Sequence, residues 1–158
     1  MFFNYKSLIF LVVLFSYSCH DKTQNSGFKN GLVVSAKIEA SQAGINILKQ
    51  GGNAFDAMIA TELALAVVYP NAGNLGGGGF LVYRLSDSST GSLDFREKSP
   101  LQSKKNMYLN NKGNEIEGLS TTGALSVAVP GTVAGIFKIY EKYASRPLNV
   151  LFEPAIKL

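Results

Sequence analysis

Two neighbouring segments with helical spacing dominate the first half of the sequence. Between Ala36 and Gln50 apolar residues recur every three or four positions, which is the spacing of one helix face, and two glycines then predict the end of this helix. The segment Ala54–Val68 is apolar on nearly all sides and carries only two charges, a pattern typical of a buried helix. Asn53 is the predicted N-cap, supported by Asp56 in the first turn, and Tyr69-Pro70 predicts the end.

The second half of the sequence alternates shorter elements. Four glycines, Gly76–Gly79, lead into a strand-like run, Phe80–Leu85, then a polar turn and a second strand that ends at Asp94, which together predict a β-hairpin. The other predicted elements are strands at Gly31–Ser35, Met107–Leu109 and Leu125–Val129, and helices at Val133–Tyr143 and from Asn149 onward. Helices that alternate with hairpin strands predict a layered α/β (α+β) fold. We expect the sequence to be truncated, so that some packing partners are missing.

The glycine run carries no side chains to pack. It therefore predicts either positive-φ backbone or the close approach of another backbone or a ligand. A P-loop is excluded because no Lys-Ser/Thr pair follows Gly79, and a dinucleotide fingerprint would need glycine where Leu81 or Val82 stands. The run also follows a helix and opens a strand, which is the reverse of both nucleotide motifs. The pattern argues against nucleotide binding.

The first 18 residues are predicted to be a signal peptide. One positive charge precedes an apolar run, Ser7–Tyr17, that is too short to span a membrane. Cys19 follows the run directly, as at a bacterial lipoprotein cleavage site, so we predict that residue 19 becomes the lipidated first residue. The alternative is an ordinary signal peptide with an incidental cysteine. Residues 19–30 are a predicted flexible tether, and residues 31–158 form the predicted domain. The protein is then exported to a bacterial periplasm or outer surface, anchored through lipid.

Composition narrows the possible functions. The chain has 158 residues, 46% of them hydrophobic and 16% charged, which is typical of one globular domain or part of one. The net charge is +4, but the basic residues are scattered, so a nucleic-acid surface is not supported. The only cysteine and the only histidine are Cys19 and His20. Residues 21–158 therefore supply neither Ser-His-Asp or Cys-His catalysis nor a zinc site with His or Cys ligands.

The candidate chemistry lies at the end of the second hairpin strand, in Asp94-Phe-Arg-Glu97. In one interpretation the two carboxylates neutralise Arg96 in an ion-pair network, and spacing alone favours it. In the other, they orient the guanidinium, which binds a substrate carboxylate through paired hydrogen bonds. Thr132 is interpreted as a helix-start residue and not as a nucleophile, since it directly precedes an amphipathic helix.

Several of these motifs resemble one known family. The segments Asn71–Phe80, Asp94–Glu97 and Pro130–Gly135 resemble the N-terminal part of γ-glutamyltransferases, as do Gly31–Ser35 and Gly51–Ala57, and their order and spacing also match. The resemblance implies an N-terminal-nucleophile hydrolase fold, a four-layer αββα sandwich that would be incomplete in this chain.

The resemblance also implies a function. Members are precursors that cleave themselves into a large and a small subunit, and the small subunit begins with the catalytic threonine. The enzyme transfers the γ-glutamyl group of glutathione or related amides to water or to an amino acid. The family's Asp-Phe-Arg-Glu arginine binds the substrate α-carboxylate, which assigns substrate binding to Arg96. The supporting residues are Asp94, Glu97, Gly76, Gly77, Gly78 and Gly79.

The segment that would carry the reacting groups is not part of the resemblance. The catalytic threonine and the oxyanion-hole glycines belong to the small subunit, so we expect no catalytic residue, no cofactor and no catalysis from this chain alone. We also expect it to expose apolar faces and to be poorly stable by itself. The alternatives are a β-lactam acylase of the same fold and a non-catalytic or decayed lipoprotein remnant.

Overall fold

The computed structural model of the chain describes residues 30–72 and 74–158. The predicted signal peptide, Cys19 and all of the tether except Asn30 lie outside the described residues. The elements are helices α1 (Ile38–Lys49) and α2 (Ala54–Val68), strands β1 (Phe80–Arg84) and β2 (Thr90–Asp94), a short 3₁₀ helix (Ala124–Ser126), and helices α3 (Thr132–Tyr143) and α4 (Leu148–Lys157). Within the described ranges, no helix is both long and apolar enough to cross a membrane.

Helix α2 is the centre of the packing, as its apolar sequence predicts. Helices α1, α3 and α4 all pack against it. Most of its middle residues are buried, and they join side chains from the other three helices in one core. The buried members of this core are Ile47, Ile59, Ala60, Leu63, Ile136, Ile139 and Leu151. The predicted range of α2 is confirmed.

The N-terminus of α2 is held by a capping box. The Asn53 side chain accepts hydrogen bonds from the amides of Phe55 (2.8 Å) and Asp56 (3.0 Å), and the Asp56 carboxylate accepts one from the Asn53 amide (2.8 Å). The predicted N-cap is therefore confirmed. Asp56 is fully buried and also accepts hydrogen bonds from the amides of Ser145 (3.0 Å) and Arg146 (3.2 Å). One carboxylate thus joins the start of α2 to the connection between α3 and α4.

The predicted hairpin is confirmed. Strands β1 and β2 pair antiparallel, with Phe80 opposite Asp94 and Arg84 opposite Thr90. Alternate residues face the helices, and Leu81 and Leu93 pack against the core. The other face points outward, where Phe80 is 65% exposed and Val82 is 81% exposed.

Three predicted strands are wrong. Gly31–Ser35 and Met107–Leu109 lie outside the regular strands, and part of Leu125–Val129 belongs to the 3₁₀ helix. Only Leu109 and Val129 form isolated bridges, with Glu115 and Lys98. A strand needs a neighbour to bond with, and the two strands of the described sheet pair with each other.

The remaining boundaries differ from the predictions by one or two residues. Helix α1 begins at Ile38 instead of Ala36, and α4 begins at Leu148 instead of Asn149, directly after Pro147. The combination of helices with a two-stranded sheet confirms the α+β class.

Candidate functional site

The backbone around Arg96 is paired on both sides. Beyond the end of β2, the Phe95 amide donates to the Gly79 carbonyl (3.0 Å), and the Gly79 amide donates to the Phe95 carbonyl (3.4 Å). Two residues after Arg96, Lys98 and Val129 exchange two hydrogen bonds, at 3.0 and 2.8 Å. Arg96 therefore lies between two fixed backbone positions.

Two glycines contact this backbone where a side chain would not fit. A Cβ atom on Gly78 would lie 2.7 Å from the Phe95 carbonyl oxygen and 2.8 Å from the Arg96 Cα. A Cβ atom on Gly131 would lie 2.8 Å from the Arg96 carbonyl oxygen. The predicted close backbone approach is confirmed for Gly78. The predicted positive φ is wrong for the run Gly76–Gly79, since the positive-φ glycines among the described residues lie elsewhere in the chain.

The glycine run also caps helix α3. The Gly77 carbonyl accepts hydrogen bonds from the amides of Gly131 (2.9 Å) and Thr132 (3.1 Å). These two amides belong to the first turn of the helix and have no partner within it. Thr132 is the first residue of α3, so its predicted helix-start role is confirmed. Its side chain is 2% exposed and donates to the Asn74 carbonyl (3.1 Å).

Arg96 is exposed, and its guanidinium makes no ion pair with the neighbouring carboxylates. Among residues 30–72 and 74–158, the single ion pair joins Glu153 and Lys157. Asp94 accepts a hydrogen bond from the Arg96 backbone amide (3.0 Å) instead, and the guanidinium carbon lies 5.8 Å from the centre of the Phe80 ring. Both interpretations of the sequence placed Asp94 and Glu97 against the guanidinium, and this arrangement is not observed. Asp94 fixes the backbone of Arg96, and the charge of the Arg96 guanidinium remains available to a ligand.

A cleft of about 270 Å³ lies beside this arginine. Its apolar wall includes Leu93 and Phe95, and the start of α3 forms another side. Three cationic side chains and one carboxylate also line it: Arg96, Lys98, Lys138 and Asp94. An apolar cleft with an excess of positive charge suits a small molecule that carries an anionic group.

The sequence prediction missed two of these cationic residues. Lys98 directly follows the Asp94–Glu97 motif, so a longer motif would have included it. Lys138 lies on α3, and only the packing of that helix against Phe95, just beyond the end of β2, brings it to the cleft. In the part of the chain that the structure describes, no cluster of three or more His, Cys, Asp or Glu side chains could hold a metal ion.

The family model described as "Gamma-glutamyltranspeptidase" matches residues 40–158, three-quarters of the chain. The chain belongs to the gamma-glutamyltranspeptidase family. The matched residues include the glycine run, Arg96 and the start of α3, which together form the site.

Curated relatives agree with this assignment. The chain is 54% identical over 132 residues to the glutathione hydrolase proenzyme of Pseudomonas sp. (strain A14), which covers 84% of this chain and 23% of the relative. It is 46% identical over 130 residues to the glutathione hydrolase proenzyme of Escherichia coli (strain K12), covering 82% of this chain and 22% of the relative. The chain therefore spans less than a quarter of the curated relatives it matches.

Solved structures share the fold. The γ-glutamyltranspeptidase of Helicobacter pylori matches with a TM-score of 0.79 and 50% identity, over 83% of this chain and 38% of that one. The cephalosporin acylase of Bacillus halodurans matches with a TM-score of 0.72 and 34% identity, over 81% of this chain and 23% of that one. The predicted N-terminal-nucleophile hydrolase fold is confirmed, and the described residues form an incomplete part of it.

Proposed function

We propose that this gamma-glutamyltranspeptidase-family chain is the N-terminal part of the large subunit of a glutathione hydrolase, in which Arg96 binds the α-carboxylate of a γ-glutamyl donor. The position of Arg96 carries the proposal. Its backbone is fixed, its guanidinium is exposed and unpaired among the described residues, and it lines a cleft of about 270 Å³.

The chemistry of the arginine suits a carboxylate. A guanidinium presents two parallel N–H donors that match the two oxygens of a carboxylate, and charge-assisted bonds of this kind contribute roughly 1.5–3 kcal/mol each. Because the backbone is already held by Asp94, Gly78 and the Lys98–Val129 bridge, fewer groups need to be ordered when the ligand binds. Lys98 and Lys138 add positive potential near the same cleft.

The reaction itself requires groups from a second subunit. We propose that the same precursor supplies a small subunit, whose N-terminal threonine attacks the γ-carbonyl of glutathione or a similar amide. The threonine oxygen forms an ester with the γ-glutamyl group, the amide C–N bond breaks, and the amine leaves with the proton of the threonine hydroxyl. Water or an amino acid then takes the acyl group. The relatives are named proenzymes, which supports a processed precursor. Residues 31–158 would supply substrate binding, without a nucleophile, cofactor or metal.

A chimeric precursor tests the role of Arg96. In it, residues 31–158 replace the matching segment of the E. coli relative, which supplies the rest of the enzyme. The chimera is expected to hydrolyse a γ-glutamyl anilide. We expect Arg96→Ala to reduce kcat/KM by a factor equivalent to about 2–5 kcal/mol, the usual loss when one member of a charge pair that is covered on binding is removed.

The matched control for this experiment is Arg84→Ala. Arg84 is an exposed arginine on β1 whose guanidinium donates to Ser88, away from the cleft. This variant is expected to keep the activity of the parent chimera. An effect of Arg96→Ala below about 0.5 kcal/mol, within the range of ordinary surface substitutions, would contradict the proposed role.

A cephalosporin-type acylase is the second candidate, because the Bacillus halodurans acylase shares the fold at 34% identity. Glutaryl and γ-glutamyl amides both carry a terminal carboxylate, and they differ in the α-amino group. Arg96 fits both. The chimera and the complete native precursor are therefore compared on the two amides, and a preference of the native precursor for glutaryl would assign the acylase activity.

We further propose that the protein is exported and anchored by lipid at Cys19. The short apolar run followed directly by this cysteine supports the proposal. Cells expressing the chain with an alkyne-labelled fatty acid are expected to label it, and Cys19→Ser is expected to abolish labelling. Equal labelling of both proteins, or none of either, would leave an ordinary signal peptide as the better explanation.

A further inference from the structure

Thr132 has a buried hydroxyl with one hydrogen-bond partner among the described residues. The side chain is 2% exposed, and its Oγ1 donates to the Asn74 carbonyl at 3.1 Å. The N-cap of α3 is Gly131, and no side-chain hydrogen bond caps this helix. The hydroxyl therefore does not serve the helix itself. It connects the first residue of α3 to the loop that leads into the glycine run.

Two more hydrogen bonds hold the same loop to the start of α3, and a third lies within the loop. The Asn74 carbonyl also accepts from the Gly77 amide (3.2 Å), and the Gly77 carbonyl accepts from the amides of Gly131 and Thr132. We refer to residues 74–79 together with Gly131 and Thr132 as the glycine clamp. The Asn74 side chain donates outside the clamp, to the Pro70 carbonyl (3.0 Å). Thr132 is therefore the one side chain whose hydrogen bond joins the two parts of the clamp.

The glycine clamp contacts the backbone of Arg96 directly. A Cβ atom on Gly78 would lie 2.8 Å from the Arg96 Cα and 2.8 Å from the Glu97 amide nitrogen. One on Gly131 would lie 2.8 Å from the Arg96 carbonyl oxygen. At this separation the clamp cannot shift without moving Arg96, because backbone atoms have no rotamers with which to relax.

We propose that Thr132 is a positioning residue for Arg96. Its hydroxyl fixes the clamp, the clamp fixes the Arg96 backbone, and the guanidinium is thereby held where it binds the substrate carboxylate. The inference rests on the proposed function of Arg96. It predicts that loss of the hydroxyl weakens recognition of the carboxylate specifically, and does not lower activity towards all substrates equally.

The test compares two substrates in the chimeric precursor. One is a γ-glutamyl anilide, and the other is the same anilide with its α-carboxylate converted to a primary amide. The ratio of the two kcat/KM values measures recognition of the carboxylate. Both values scale with the amount of active enzyme, so partial loss of folded protein cancels from the ratio.

Thr132→Val keeps the shape of the side chain and removes the hydroxyl, whereas Thr132→Ser keeps the hydroxyl. We expect the Val variant to lower the ratio about fivefold or more, which corresponds to one ordinary hydrogen bond. The loss is expected in KM for the anilide, with little change in kcat. The Ser variant is expected to retain the parent ratio. If the Val precursor fails to mature, Thr132→Ala is the second variant without a hydroxyl.

Hydrogen exchange of the same chimeras gives an independent readout. We expect the amides of Gly131 and Thr132 to exchange faster in the variants without the hydroxyl and at the parent rate in Thr132→Ser. If neither the ratio nor the exchange changes in the variants without the hydroxyl, the role of Thr132 is overturned. In that case a large fall of the ratio in Arg96→Ala would leave the proposed function intact. A ratio that Arg96→Ala does not change would overturn the proposed function itself.

Discussion

Gly78 is one of the two glycines at which the backbone beside Arg96 leaves no room for a side chain. Gly78→Ala would place a Cβ atom 2.7 Å from the Phe95 carbonyl oxygen, so the backbone must shift. Overpacking of this kind costs roughly 1–3 kcal/mol. We expect the chimeric precursor to melt at a lower temperature and to bind the γ-glutamyl anilide with a higher KM.

The neighbouring Gly77 is the matched control. A Cβ atom on Gly77 would lie 3.5 Å from its nearest atoms, which is an ordinary contact distance. Gly77→Ala is therefore expected to keep the melting temperature and the KM. Equal effects of the two substitutions would show that the run needs glycine for a reason other than close packing against Arg96.

At the scale of elements, Asp56 links α2 to the α3–α4 connection, and this link predicts a dependence of stability on pH. Burial raises the pKa of Asp56, but hydrogen bonds from the Ser145 hydroxyl and from the backbone amides of Asn53, Ser145 and Arg146 lower it more, so the pKa lies below its usual value. A depressed pKa in the folded state stabilises the protein above the unfolded pKa of about 3.9. This stabilisation is lost as the pH falls below that value.

The measurement is the fall in melting temperature of the chimeric precursor between pH 6 and pH 3. We expect Asp56→Asn to lower the melting temperature at pH 6 and to reduce the further loss on acidification, since the titrating group is gone. Glu141→Gln, which removes an exposed carboxylate from α3, is expected to follow the parent. If the melting temperature of Asp56→Asn fell on acidification as much as that of the parent, the pH dependence would be assigned to other groups.

Elements that depend on nearby residues could be predicted from the sequence, and those that depend on distant partners could not. Helix α2 carries its own N-cap at Asn53 and its own apolar pattern, so its range followed from local rules. Gly31–Ser35 has β-branched residues, but no described strand pairs with it. The contact between Gly77 and Thr132 joins residues far apart in the sequence, and only the folded packing of α3 brings them together.

At the scale of the whole molecule, the exposed apolar surface predicts how the chain behaves alone. Val82 is 81% exposed on the outward face of the hairpin, and Val34, Ile38 and Ile156 are each about 80% exposed. Both strands of the sheet also leave one edge without a strand partner among the described residues. Exposed apolar faces and open strand edges favour association or loss of fixed packing.

We therefore expect purified residues 20–158 to bind a hydrophobic dye and to unfold with low cooperativity, because the surface of the incomplete fold is not covered. Replacing Phe80 and Val82 with serine and threonine should reduce dye binding, since both side chains lie on the uncovered face and not in the core. Ile59→Thr is the contrasting variant, because Ile59 is fully buried and its replacement should increase dye binding.

A monomer that melts cooperatively and binds no dye would instead support a self-sufficient, non-catalytic lipoprotein module. In that case Arg96 would have to recognise its ligand without a second subunit, and binding of a γ-glutamyl compound to the isolated chain would measure this directly.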